Sequence, residues 1–427
     1  MREFFANRVM RRMITFLLLT EFLWGLGNFF VWPTTTLPAY LIELGASRLI
    51  IGALAVAIGS LMLIPQLFGR AVINRVRHRK RGIIFLHACF IAPYFLIPML
   101  HRLLVPDRAA LHIALTLGLL ALGSICMGFV LPIWLDMLAQ VVPLSLRGRY
   151  FGIGTLCFAG GGVLGGLGLS WLQATFGPAA YLGAFLVAGI FFCLSMVSFA
   201  LAPVPVSAFE HPPEPSLWHR VRTSLHACHP RTDFGRLVMS FGVLTLAMAV
   251  VPFMIAYAID GKQGLGFQDR VVGWLTICQA LGSAGGGVVL GSLIDRIGPR
   301  LPWVAATAVV PLALLLLPFG GSLPVLMAAF VLAGVLNTHW SVTGPAMLEL
   351  SPPGDKSGYV AVANMVGFLP STLGALLLGR SIDVWGYTPA FIIAAAAGVL
   401  ALLIGFTIRN RSAISGETFA PKIAGRA

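Results

Sequence analysis

Charge is scarce in this chain. Asp, Glu, Lys and Arg together make up 10% of 427 residues, against roughly 25% in an ordinary soluble domain. So few charges cannot cover a water-facing surface, which excludes a soluble enzyme, a disordered segment and a coiled coil. The six cysteines form no CxxC pair and no Cys/His cluster, so neither a disulfide framework nor a metal site is expected. No Walker sequence is present, so ATP does not drive the protein directly. No apolar run carries paired carboxylates, a histidine cluster or a nucleophile arrangement, so no enzyme activity and no cofactor is expected. A Gly160-x-Gly162-x-x-Gly165 match to a dinucleotide fingerprint lacks a preceding strand and lies inside an apolar run, which disqualifies it. Arg8, Arg11 and Arg12 lead into a run too long for a signal-peptide h-region, with no small-residue cleavage site after it.

What is abundant is apolar sequence. Hydrophobic residues reach 58% and the mean hydropathy is +0.90. Apolar runs lie near 13–37, 48–69, 82–100, 110–136, 150–173 and 181–202, and again near 235–259, 271–292, 301–319, 323–348, 358–380 and 387–408. Each is long enough for a spanning helix, which needs about 20 residues. The expectation is an all-α integral membrane protein of twelve transmembrane helices, seated in the lipid bilayer of the inner (cell) membrane.

The formal charge of +14 follows from topology rather than from a nucleic-acid partner. With the N-terminus in the cytoplasm, 23 of the 29 Lys and Arg residues fall on the cytoplasmic side. That positive-inside asymmetry places both termini there.

The chain divides into a six-helix half at 1–202, a polar linker at 203–233, a second six-helix half at 234–409 and a tail at 410–427. Leu217, Val221 and Leu225, flanked by Arg220 and Arg222, suit either a short amphipathic helix at the cytoplasmic surface or a solvated linker. The halves repeat one another. Leu44-Gly45 with Ile50-Ile51-Gly52 recurs as Leu265-Gly266 with Val271-Val272-Gly273, and Pro143 to Tyr150 matches Pro352 to Tyr359. A two-fold repeat of six spans marks a transporter with its solute path between the halves.

The loops then carry a resemblance. Gly291-Ser292-Leu293-Ile294-Asp295-Arg296-Ile297-Gly298-Pro299-Arg300 resembles the G-x-L-x-D-R-x-G-x-R loop motif of the major facilitator superfamily, bacterial type. The corresponding first-half loop keeps basic positions, including Arg75 and Arg79, but has Asn74 where the motif has aspartate. Pro143 to Gly152, with Arg147 and Arg149, is similar to the loop between the fourth and fifth spans of many members. The resemblance implies two pseudo-symmetric six-helix halves, with these residues gating the cytoplasmic side. Gly291 would let helix ends approach, Gly298 would permit a tight turn, and Asp295 would accept from a neighbouring helix N-terminus, with Arg296 and Arg300 beside it. Gly161 to Gly166 resembles the antiporter motif core with Gly162 in place of proline, although small residues four apart more simply allow close helix packing.

Polar groups at membrane depth point to function, because burying a charge there costs about 2.5–3.5 kcal/mol on insertion scales. Glu21 is the one acid well inside an apolar run, placed to take and release a proton as access alternates. Trp24 and Asn28 share its helical face; Gln279, Asn337, His339 and Asn364 are the other candidates for a solute cavity. The expected function is alternating-access transport of a small organic solute, with protons as the coupling partner and export as the direction. Uptake or facilitated diffusion is the alternative, as is a receptor or assembly factor built on the same fold. A monomer is expected.

The topology is directly testable. Tags at either terminus or within 205–215 should be shielded in intact cells, and a tag beside Pro106 should be labelled. Labelling of the 205–215 tag would reverse the orientation.

Overall fold

The computed structural model describes residues 8–69, 72, 76, 78–105, 107–142, 144–204, 217–298, 300–337, 339–352 and 356–409. Among these residues every regular element is helical. In hydrocarbon a backbone N–H finds no water, so each span must close its hydrogen bonds within itself.

The first half runs α1 (Arg8–Phe30), α2 (Thr36–Glu43), α3 (Arg48–Ala55), α4 (Arg79–Leu104), α5 (Ala109–Val141), α6 (Leu144–Phe176) and α7 (Ala180–Leu201). After α3 the second span continues through a π-turn at Val56–Ser60, a short helix at Leu61–Leu63 and a 3-10 turn at Pro65–Phe68. Pro65 brings no N–H, which favours the change of winding there. The connector contains α8 (Leu217–Ala227), and the second half runs α9 (Asp233–Met248), α10 (Val251–Ile259), α11 (Val271–Ile297), α12 (Arg300–Phe319), α13 (Leu323–Leu336), α14 (His339–Leu350), α15 (Lys356–Trp385) and α16 (Tyr387–Phe406).

Ten stretches of the described residues are long and apolar enough to cross a membrane. One of them, Tyr150–Leu201, is 52 residues long and is interrupted by a 3-10 turn at Gly177–Ala179, so it accommodates two crossings. The tenth run of the sequence is split into α13 and α14 around Asn337. The arrangement is therefore coherent with twelve crossings.

Within each half, glycines set the helix spacing. A Cβ on Gly161 would collide with the Phe22 carbonyl, and one on Gly165 would lie 2.6 Å from the Leu26 carbonyl, so α6 packs backbone-close along α1. In the second half, Gly282 and Gly334 do the same for α11 and α13, against the Val331 and Gln279 carbonyls. These positions support packing as the role of the glycine pairs in α6. A buried polar cluster ties α2, α4 and α5: the Tyr40 hydroxyl lies 2.6 Å from His112 Nε2 and 3.2 Å from His101 Nδ1.

The two halves meet where α3 runs beside α15 and α6 beside α11. Gly52 faces the Ala375 carbonyl, Gly379 faces the Arg48 carbonyl, and Gly273 faces Ser170 with no room for a Cβ. All three sites lie at the face away from the start of α1 and the end of α16. Toward the other face, Gly152, Gly285 and Gly291 have nothing within 4 Å of where a Cβ would stand. At Gly291 a Cβ would therefore meet open space among the described residues.

The glycine contact yields a prediction. Gly52→Val sets a branched side chain against backbone, a clash of typically about 1–3 kcal/mol. Thr35→Cys, buried between the halves, should then react at least several-fold faster with an impermeant maleimide, whereas Gly59→Val, which has open space, should leave the rate unchanged. Equal rates in the two backgrounds would show that Gly52 does not maintain closure.

Candidate functional site

Glu21 lies near the middle of the 23-residue α1. With Thr20 and Trp24 it lines a cavity of about 200 Å³ inside the first half. Met62 closes one side, His87 of α4 another, and Met127, Val130, Leu131 and Trp134 of α5 a third, with Met196 of α7 completing the wall. The wall is mostly apolar, so its few polar atoms determine what it can hold.

Those atoms have defined states. The His87 Nδ1 sits 2.8 Å from the Ile83 carbonyl, which can only accept. The proton therefore resides on Nδ1, and Nε2 of the neutral ring is an acceptor. Trp24 packs edge-on against His87 with ring centroids 5.2 Å apart, and against Phe192 at 4.5 Å, which fixes both rings. The Thr20 hydroxyl donates to the Phe16 carbonyl at 2.8 Å, leaving only its lone pairs free. α6 lies against Glu21: a Cβ on Gly154 would stand 3.7 Å from Glu21 Cγ, and Tyr150 and Cys157 are within electrostatic reach of its carboxyl. Among the described residues Glu21 makes no hydrogen bond and no ion pair.

The other candidates do not converge on this cavity. Asn28 turns back to donate to the Trp24 carbonyl at 3.2 Å. Gln279 is fully buried and accepts from Thr34 at 2.8 Å across the two halves, so in this state it belongs to their closed contact rather than to an open cavity. Asn337 reaches Ser283 at 3.4 Å, within the second half, and Asn364 on α15 keeps a buried Oδ1 that has no partner among the described residues. The side chains of His339, Arg147, Arg149, Asp295 and Arg296, and all of Asn74 and Arg75, lie outside the described residues. Arg79 pairs with Asp136 at 2.8 Å, which joins α4 to α5. Gly298 has φ +76°, as a tight turn after α11 requires, and Arg300 donates to the Phe406 carbonyl at 3.0 Å.

His87 is not among the residues the sequence points to, although, like His339, it is a lone histidine in an apolar run. A second omission lies at the closed face. Arg48 donates to Asp260 Oδ2 at 2.6 Å, and the Tyr387 hydroxyl donates to the same oxygen at 3.2 Å. The Arg48 backbone N–H also donates to Asp383 at 3.3 Å, so one residue of the first half holds two carboxylates of the second. Beside this clasp Thr35 meets Thr276 at 2.6 Å. Thr276 spends its proton on the Val272 carbonyl, so Thr35 is the donor. The available signal was the scarcity of charge on that face, where Arg48 is one of six bases.

Asp260 follows the end of α10, and its carboxyl is shifted by opposing effects. Burial raises it; hydrogen bonds from the Lys262 N–H, the Arg48 guanidinium and the Gln263 N–H, together with the Arg48 charge, outweigh burial and hold it below the ordinary aspartate value. Nearby, burial raises the Glu43 carboxyl, and the charge of Asp269 from the other half raises it further.

Residues 234–426 match the family model described as Major Facilitator Superfamily. No curated protein matches the chain. Solved structures of the same fold include a POT family transporter in complex with 5-aminolevulinic acid, 14% identical with a TM-score of 0.69, covering 92% of this chain and 95% of that one. A mutant of the nucleoside transporter NupG is 13% identical with a TM-score of 0.68, covering 93% and 100%. A bacterial homolog of the human lysosomal transporter Spinster, in an inward-facing and unoccupied conformation, is 12% identical with a TM-score of 0.63, covering 92% and 95%. At these identities the likeness is one of fold.

The lowered Asp260 gives a pH prediction with a fixed sign. A depressed carboxyl stabilises the clasped state above its ordinary value of about 3.9, and that contribution is lost as pH falls through the lower, clasped value. Spin labels at Leu49 and Val384, both exposed, should report a short distance at pH 5 to 8 that lengthens only in stronger acid. Asp260→Asn should remove the acid transition and lengthen the distance at neutral pH. A distance unaffected by Asp260→Asn would dismiss the clasp.

Proposed function

We propose that the chain is a membrane transporter of the Major Facilitator Superfamily, whose family model matches its second half, and that it exchanges a small organic solute for protons by alternating access. The observation that carries this reading is Glu21, a carboxyl in an apolar cavity near the middle of α1 that has no partner among the described residues. A bare carboxylate in such a setting costs on the order of several kcal/mol, so the group gains by holding either a proton or a cationic partner. As water reaches the cavity first from one side and then from the other, that choice is made against two different solutions.

In this reading 1–202 and 234–409 are the rocking halves, 203–233 connects them and 410–427 is a tail. The termini face the cytoplasm in the inner membrane, as the basic asymmetry favours. The Arg48–Asp260 clasp is then the extracellular gate, shut, and the open space beside Gly152 and Gly291 supports a cytoplasmic side that is open inward. Asn74, Arg75, Arg79, Arg147, Arg149, Asp295, Arg296 and Arg300 act on the cytoplasmic side, where closing would bring their loops together. Gln279 enters the solute path when the halves rock apart at the clasped face. Asn28, Asn337, His339 and Asn364 line the path between the halves.

The test is solute-dependent proton movement in proteoliposomes, read with an enclosed pH dye over a panel of small organic solutes. Wild-type protein should move protons with at least one solute. Glu21→Gln should be silent for that solute while its thermal unfolding stays close to wild type. Full proton movement in a well-folded Glu21→Gln variant would refute the coupling role.

A further inference from the structure

The polar atoms of the Glu21 cavity are nearly all acceptors. Glu21 offers two carboxylate oxygens, His87 Nε2 offers a lone pair because Nδ1 is committed to Ile83, and the Thr20 hydroxyl proton is committed to Phe16. No cationic side chain lines the cavity among the described residues, and the indole N–H groups of Trp24 and Trp134 are its only strong donors. An anionic solute would meet a carboxyl and an imidazole lone pair with little to answer its charge. A neutral solute would leave both acceptors poorly matched. A protonated amine answers both, since its N–H groups can donate to Glu21 and to His87 Nε2 together.

The rest of the wall fits an apolar body attached to that amine. Trp24 and Trp134 are in the wall, and an aromatic ring attracts a cation that comes within about 6 Å of its face. Met62, Met127 and Met196 are flexible and polarisable, and they accommodate varied apolar shapes. The volume of about 200 Å³ lies below the roughly 300–1,000 Å³ of drug-sized sites, which favours a single small ring or short chain over a peptide or a nucleoside.

We propose that this cavity binds a small primary or secondary organic amine in its protonated form, with the ammonium between Glu21 and His87 and the apolar part between the two tryptophans. This rests on the transport reading above only for its consequence, that amine and proton compete for one carboxyl. Binding is reversible and no covalent bond changes. Among the described residues the titratable groups facing Glu21 are His87 of α4 and Tyr150 and Cys157 of α6, and none of them supplies a fixed positive charge at neutral pH.

The experiment uses the full chain in detergent with three probes of similar shape: 2-phenylethylamine, 2-phenylethanol and phenylacetate. Binding is read by calorimetry and by quenching of tryptophan fluorescence. The amine should bind at least tenfold more tightly than the alcohol or the acid. Glu21→Gln should weaken the amine at least tenfold and leave the alcohol unchanged. Glu21→Asp, which keeps the charge, should retain most of the affinity, and His87→Leu should weaken it several-fold. Amine affinity should fall as pH is lowered in wild type but not in Glu21→Gln. Equal binding of the three probes, or amine binding indifferent to Glu21→Gln in a folded protein, would overturn the proposal. Two further outcomes separate it from the transport reading. Glu21-dependent proton movement with a non-amine solute and no amine binding would sink the amine and spare the transporter. Amine binding without flux in proteoliposomes would do the reverse.

Discussion

A peptide group in hydrocarbon has no solvent to bond with, and everything else in this molecule is subordinate to that constraint. It makes every regular element among the described residues a helix, with prolines accommodated inside spans at Pro93 and Pro98 in α4 and Pro370 in α15. It also gives each polar side chain at depth a burden to discharge. Thr20, Thr276 and Thr307 return their hydroxyl protons to carbonyls four residues back in their own helices. Ser195 and Ser198 donate across to α1 at the Thr20 and Phe16 carbonyls. Beside these settled hydroxyls, the Glu21 carboxyl has no partner among the described residues.

The two carboxylates that matter illustrate opposite solutions. Asp260 follows the end of α10 and is surrounded by donors from both halves, which favour its charged form. Glu21 lies deep and faces ring and thioether surface, so its charge is conditional. Holding and exchanging require these different surroundings. A donor set around Glu21 would fix its proton state, and an apolar shell around Asp260 would release Arg48.

The sequence made much of this legible, for physical reasons that also mark its limit. Span positions and the six-and-six division follow from runs of apolar residues and the polar segment between them. The depth of Glu21 follows from counting residues into α1. The lining of its cavity does not follow, because Met62, His87, Trp134 and Met196 come from different helices whose sequences are apolar on every face. Such helices carry no periodic stripe to say which side turns inward. Gln279 shows the same blindness from the other direction. A polar group at mid-depth is equally expensive in a solute path and in a contact between halves, and only the position of Thr34 opposite it decides which role it has in this state. The clasp was hidden because Arg48 and Asp260 are far apart in the chain, and each alone resembles an ordinary charge at a span end.

The glycine contacts at the clasped face have a mechanical consequence. Where Gly52 meets the Ala375 carbonyl and Gly379 meets the Arg48 carbonyl, main chain rests on main chain with no side chain between. Side-chain contacts yield gradually, because rotamers can shift to absorb a change in distance. Peptide planes cannot, so approach ends abruptly at hard-sphere repulsion. The closed position is therefore a mechanical stop whose location is independent of what the cavity contains. On the alternating-access reading, each cycle would return the halves to the same geometry on that side, and any adjustment to the size of a cargo would be made at the opposite end of the bundle.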